Sequence, residues 1–211
     1  MKLIRHVSLV SFAFALLFAV PATAQVGKGV ADLNSMPQAE LAALPGMTPA
    51  AAAAVVAKRP FGSITEVNAF LLGQKLTQDQ LNVLYAKAFI HVNLNTGTRD
   101  EILLIPGAGN RMAREFDEYS PWRNWAHFDK EIGKYVPQTE VDRLKQYVFI
   151  PINLNAASDE VFLTIPGVGA RMVREFKEYR PWTSQAQFQK EIGKYVDQKE
   201  VARLWRYFVI Q

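Results

Sequence analysis

One phrase is written three times along this chain. Leu44-Pro45-Gly46-Met47-Thr48 returns as Ile105-Pro106-Gly107-Ala108-Gly109, and again as Ile165-Pro166-Gly167-Val168-Gly169, at intervals of 61 and 60 residues. A fixed period of this kind marks one structural unit copied in tandem, which restricts the fold before any single residue is considered. The phrase itself reads as a tight reversal between two helices.

The second and third copies are close relatives. Asn93-Leu94-Asn95 recurs as Asn153-Leu154-Asn155, Arg114-Glu115-Phe116 as Arg174-Glu175-Phe176, and Pro121-Trp122 as Pro181-Trp182. Lys130-Glu131-Ile132-Gly133-Lys134-Tyr135-Val136 recurs intact as residues 190–196. The first copy is more distant. It keeps Leu33-Asn34, the Pro45-Gly46 turn and Arg59-Pro60-Phe61.

Each copy reads as a string of short helices. In the second, Thr98 and Glu101 form a capping box, and the helix they open ends at Pro106-Gly107. The next helix runs from near Gly109 to about Tyr119. Met112, Phe116 and Tyr119 recur on it at helical spacing, facing inward, while Arg111, Arg114 and Glu118 fall on other faces. A third helix covers about Trp125 to Ile132. A fourth covers Gln138 to Val148, with Val141, Leu144 and Val148 inward. Residues 158–164, 169–179, 185–192 and 198–208 repeat the plan. The expected fold is all-α: three tandem helix-hairpin-helix repeats, residues 25–91, 92–151 and 152–211, with at most a brief extended bridge at each Asn-Leu-Asn. The joints, Phe89-Ile90-His91-Val92 and Phe149-Ile150-Pro151-Ile152, are apolar and β-branched, unlike flexible Gly/Ser linkers. A unit of this size is marginal alone, so the copies are expected to pack on one another.

Residues 1–24 read as a secretory signal peptide. Lys2 and Arg5 precede an apolar run from Val7 to Val20, and Ala22-Thr23-Ala24 is a small-x-small cleavage site. The run is shorter than the ~20 apolar residues of a spanning helix. No later stretch is apolar enough to span. Cleavage after Ala24 implies a periplasmic or secreted protein without a stable membrane span. The chain has no cysteine, which excludes disulfides and thiolate metal sites.

Charge is a weak guide. The chain carries 24 basic and 20 acidic residues, and removing Lys2 and Arg5 leaves 24 − 2 = 22 against 20. A protein that binds nucleic acid through a broad basic face shows more. Any such binding must use local geometry.

The hairpin supplies that geometry. Gly107 and Gly167 sit where the chain reverses and call for φ > 0. Ala108 and Val168 plug inward. Gly109 and Gly169 open the next helix, where unpaired N–H groups and the helix dipole favour an anion. Asn110, Arg111 and Arg114 follow in one copy, and Arg171, Arg174 and Lys177 in the other. Pro-Gly-x-Gly is also a structural turn with no ligand, and the same helices carry Glu115 and Glu118, or Glu175 and Glu178.

The succession Asn-Leu-Asn, capped helix, Ile-Pro-Gly-Val-Gly, basic helix and Arg-Pro-aromatic resembles the helix-hairpin-helix domain of the ComEA competence family, over nearly all of residues 30–211. The resemblance implies binding of double-stranded DNA without sequence preference during DNA uptake. It places the phosphate contacts at Gly107, Gly109 and Arg111, and at Gly167, Gly169 and Arg171. Two departures limit it. The first copy has Thr48-Pro49, and proline deletes one N–H that a phosphate would use. The family's second Gly-x-Gly hairpin is reduced to one glycine in Leu72-Gly73-Gln74-Lys75, Ile132-Gly133-Lys134-Tyr135 and Ile192-Gly193-Lys194-Tyr195.

Trp122, Trp125, Trp182, Phe128 and Phe188 read as core rather than as base-stacking platforms, and Trp205 as undecided. Catalysis is not expected. His91 and His127 are not repeated, no helix presents paired metal ligands, and Glu131, Glu191, Glu140 and Glu200 beside basic residues read as a solvated face. No cofactor is implied. The alternative to DNA is an envelope protein partner, in an assembly role like that of the extrinsic PsbU-type subunit of photosystem II.

Overall fold

The computed structural model describes residues 25–211; the expected signal peptide, residues 1–24, lies outside the described residues. The molecule is mostly helical, with twelve helices and six two-residue strands among the described residues. The order strand, four helices, strand occurs three times. The first unit contains β1 (Ala31–Asp32), α1 (Gln38–Ala42), α2 (Pro49–Lys58), α3 (Ile64–Gly73), α4 (Gln78–Tyr85) and β2 (Ala88–Phe89). The second contains β3 (Val92–Asn93), α5 (Arg99–Leu103), α6 (Asn110–Glu118), α7 (Trp125–Ile132), α8 (Gln138–Lys145) and β4 (Val148–Phe149). The third contains β5 (Ile152–Asn153), α9 (Asp159–Phe162), α10 (Ala170–Glu178), α11 (Gln185–Ile192), α12 (Gln198–Trp205) and β6 (Phe208–Val209).

The strands correct the all-α expectation. β1 pairs with β2, β3 with β4 and β5 with β6, each pair parallel. Parallel strands need a long crossover, and the four helices of each unit provide it. The fourth helices therefore stop at Lys145 and Trp205 instead of running on to residue 148 or 208. The aromatic and β-branched residues that follow go into the ribbons, where such side chains pack well.

Asn-Leu-Asn is the staple of each unit. The first side chain closes a local turn: Asn93 Oδ1 accepts the Asn95 N–H at 2.9 Å, Asn153 Oδ1 that of Asn155 at 3.0 Å, and Asp32 Oδ1 that of Asn34 at 2.8 Å. The leucine between is buried in all three. The second asparagine grips a distant backbone with both ends of its amide. Asn95 Nδ2 donates to Trp122 O at 3.0 Å while its Oδ1 accepts the Trp122 N–H. Asn155 does the same for Trp182, and Asn34 for Phe61. Each gripped aromatic follows a cis proline, at Arg59-Pro60, Ser120-Pro121 and Arg180-Pro181. The aromatics are core. Trp122 and Trp182 are almost fully buried, and their indole N–H groups donate to Phe116 O and Phe176 O. Trp125, Phe128 and Phe188 are buried, and half-buried Trp205 packs on Phe188 with ring centroids 5.2 Å apart.

The first two units share one continuous core, and the third has its own. Phe89 meets Tyr147 edge-on at 5.2 Å, and Phe149 meets Tyr207 at 4.8 Å, so successive ribbons pack through their last strands. The third unit also folds back on the first. Tyr207 Oη donates to Asp32 Oδ2 at 3.2 Å, and Arg206 Nη2 donates to His91 O at 2.8 Å. His91, which is not repeated in the other copies, is buried with Nδ1 3.5 Å from Asp32 Oδ2. The segment before β1 crosses to the far joint. Val26 forms an antiparallel bridge with Phe149, the Gly27 N–H donates to Val148 O, and the Ile150 N–H donates to Gln25 O. Val26 is fully buried within the core of the third unit.

Candidate nucleic-acid interface

The three reversals share one geometry. Gly46, Gly107 and Gly167 have φ of +75°, +79° and +79°, the left-handed region that glycine enters without a Cβ penalty. The next residue's N–H closes the turn, as from Ala108 to Ile105 O at 2.9 Å and from Val168 to Ile165 O at 3.1 Å. Met47 and Ala108 are buried as plugs, and Val168 is half-buried.

Gly109 and Gly169 differ in kind. Their φ values of −98° and −112° with extended ψ suit any residue, and a Cβ added at either meets nothing within 4 Å. Neither backbone nor packing asks for glycine there. The first unit shows what a side chain does at that place. Thr48 has nearly the same backbone, and its Oγ1 accepts the Ala51 N–H at 3.1 Å, capping α2 ahead of Pro49. α6 and α10 receive no such cap and have no acidic residue in the first turn. Their leading N–H groups are left to solvent or ligand.

Around each open start stand exposed cations. Arg111 and Arg114 on α6, and Arg171 and Arg174 on α10, are solvent-exposed, and none is held in an ion pair among the described residues. Residues three apart on a helix are surface neighbours, so each pair forms one small basic patch. Gly107, Gly109, Asn110, Arg111 and Arg114 thus come together at one hairpin, and Gly167, Gly169, Arg171 and Arg174 at the other. Asn110 is engaged, its Oδ1 accepting from Arg99 Nη2 at 2.8 Å. Lys177 is also engaged, with Nζ 2.7 Å from Asp159 Oδ1.

Sequence reasoning missed what orients the arginines. Arg111 lies over the Tyr135 ring, 5.1 Å from its centre, and Arg171 over Tyr195 at 5.8 Å. Tyr135 Oη is 2.8 Å from Tyr119 Oη, and Tyr195 Oη is 2.9 Å from Tyr179 Oη. Hydrogen bonding to Tyr119, then to Glu115, holds the Tyr135 phenol well above its ordinary pKa; Tyr179 and Glu175 do the same for Tyr195. Lys134 sits over the Tyr119 ring and is tied to Glu131, which lowers the Glu131 pKa and raises that of Lys134. Lys194, Tyr179 and Glu191 repeat this arrangement. The signal was the seven-residue phrase from Lys130 to Val136, repeated intact.

This cluster corrects the reading of a solvated acidic face. Glu131, Glu115 and Glu175 are buried, and Glu140 and Glu200 are half-buried. Glu140 holds Arg143 through both Nε and Nη2 at 2.7 Å, and Glu200 holds Arg203 in the same way. Arg143 and Arg203 stand directly behind the reversals. A Cβ on Gly107 would lie 3.1 Å from Arg143 Nη2, and one on Gly167 3.2 Å from Arg203 Nη2.

Of the helix starts after Gln74, Gly133 and Gly193, the first and the third are capped by side chains. Thr77 and Gln80 form a capping box, and Asp197 accepts the Glu200 N–H at 2.8 Å. Pro137 gives α8 no side-chain cap, but Glu140 stands in its first turn. Among the described residues no helix is long and apolar enough to cross a membrane. Comparison with protein-family models, with curated proteins and with solved structures finds no match.

Proposed function

We propose that this protein is an exported, non-catalytic DNA-binding protein that grips duplex phosphates at two hairpins without reading sequence. The observation that carries the proposal is the pair of uncapped helix starts at Gly109 and Gly169. Each has open space where a Cβ would stand, no acid in the first turn, and two unpaired arginines beside it. Backbone N–H groups at a helix start bind phosphate oxygens. They fix position on a duplex and carry no base information. The resemblance to the ComEA family supports the same ligand and suggests a place in DNA uptake outside the cytoplasm. Two sites on one chain would reinforce each other if a single duplex reaches both.

The test is fluorescence anisotropy of residues 25–211 with a duplex of ~30 base pairs across a salt series. Each neutralised phosphate contributes about −0.9 to the slope of log K against log salt, so four arginine contacts give a slope of about −3.6. Sequence-scrambled duplexes of equal length should bind alike. The capped first hairpin and the capped starts of α4 and α12 favour a second reading, an envelope assembly module with a protein partner. Failure of the wild type to bind duplex at low salt would select it.

A further inference from the structure

The fold-back of the third unit on the first creates a cleft of about 210 Å³, lined in part by Arg59, Asp197, Lys199, Glu200 and Arg203. Its lining holds none of the residues proposed to grip a duplex, although Arg203 also stands behind Gly167. Arg203 is only 4% exposed, and its Nη1 has no hydrogen-bond partner. Arg59 is half-buried, and its Nε and Nη2 are enclosed without partners. Three guanidinium nitrogens, on residues from two units that line one cavity, are therefore enclosed and unsatisfied. Buried donors in native proteins are nearly always paired, and charged ones cost most when they are not.

The carboxylates nearby are committed elsewhere. Glu200 gives both oxygens to Nε and Nη2 of Arg203. Asp197 caps α12. Asp32 is shared by Tyr207 and His91, and Arg206 turns to the His91 carbonyl. Arg59 has no carboxylate of its own among the described residues. The lining carries three cations against two carboxylates, which selects an anion over a cation. The unsatisfied donors belong to planar guanidinium forks, whose geometry matches oxyanions.

We propose that this cleft binds a small oxyanion, phosphate or the head of a phosphate monoester, between Arg59 of the first unit and Arg203 of the third. The bound anion bridges two units that otherwise meet through a few polar contacts and the buried Val26. Occupancy therefore stabilises the closed arrangement by mass action. A duplex is too bulky to enter a space of this size, so the site takes a ligand other than the one proposed for the hairpins.

Calorimetric titration of residues 25–211 with inorganic phosphate, at constant ionic strength set by sodium chloride, tests this directly. Saturable binding is expected, with acetate weaker and extra chloride inert. In a ¹⁵N-labelled sample the Arg59 and Arg203 Nε–H signals should move with the same titration curve. Arg59→Gln should weaken binding at least tenfold while leaving duplex binding unchanged, and Lys199→Gln at the exposed rim should weaken it two- to threefold. Absence of saturable phosphate binding by the wild type would overturn the proposal. So would arginine side-chain signals that stay fixed while phosphate binds elsewhere. If Arg59→Gln does not fold, the wild-type titration and the Arg203 signal still decide the matter.

Discussion

At Gly109 and Gly169 a side chain would do two opposed things. A capping residue would satisfy leading N–H groups of α6 or α10 and stabilise the helix, as Thr48 does for α2. The same side chain would occupy the place where a phosphate is proposed to sit. Gly109→Asp with Gly169→Asp is therefore expected to raise stability by a few tenths of a kcal/mol in urea unfolding, while duplex affinity falls at least tenfold in the anisotropy assay. A fall in both stability and binding would point to simple misfolding. Gly107→Ala should behave in the reverse way. Its φ of +79° and the nearness of Arg143 make the variant less stable by about 1 kcal/mol or more. The positive φ at Gly107 was readable in the sequence, because a chain reversal in Pro-Gly leaves few alternatives. The burial of Glu131 was not. A carboxylate flanked by lysines looks the same in sequence whether its partners reach it in water or over a tyrosine ring, as Lys134 does over Tyr119.

The helices of the second and third units were legible nearly residue by residue, since their caps and apolar spacing are local. Thr98, Asn124, Ser158 and Ser184 all cap as their chemistry dictates. The ribbons were legible at one edge only: an extended bridge was expected at each Asn-Leu-Asn, but its partner strand, two residues without periodicity at the other end of the unit, was not. Asn-Leu-Asn was visible as a repeat but not as a clamp, since its target is the backbone of Trp122 or Trp182 and not a side chain. Asn95→Ala should remove both ends of one clamp and lower stability by about 2 kcal/mol, readable as a shift in the urea midpoint without a change of slope. Phe149→Ala should cost more, about 3–5 kcal/mol. That ring is fully buried, and it joins the second ribbon to Tyr207 and Val26.

Taken whole, the molecule is closed where the sequence suggested a stacked row. The contact that closes it spans 175 positions, from Tyr207 to Asp32, and no local pattern announces it. It leaves a signature in pH. Burial alone would raise the Asp32 pKa, but the His91 hydrogen bond and the charges of His91, Arg206 and Arg203 outweigh it and hold the carboxyl below its ordinary value. A lowered folded-state pKa contributes stability that is present above the ordinary carboxylate pKa and lost as pH falls through the folded value. Stability should therefore decline below about pH 4, and Asp32→Asn, though less stable at pH 7, should decline less steeply over that window in acid unfolding monitored by circular dichroism. The crossing segment at Val26 has another kind of consequence. Its N–H reaches Thr164 Oγ1, 138 positions further on. A segment that precedes the first strand thus completes its contacts only once the third unit is in place. This stretch acts as a clasp with two catches: its backbone pairs with residues 148–150 of the second unit, and only a chain that continues through residue 164 supplies the last partner.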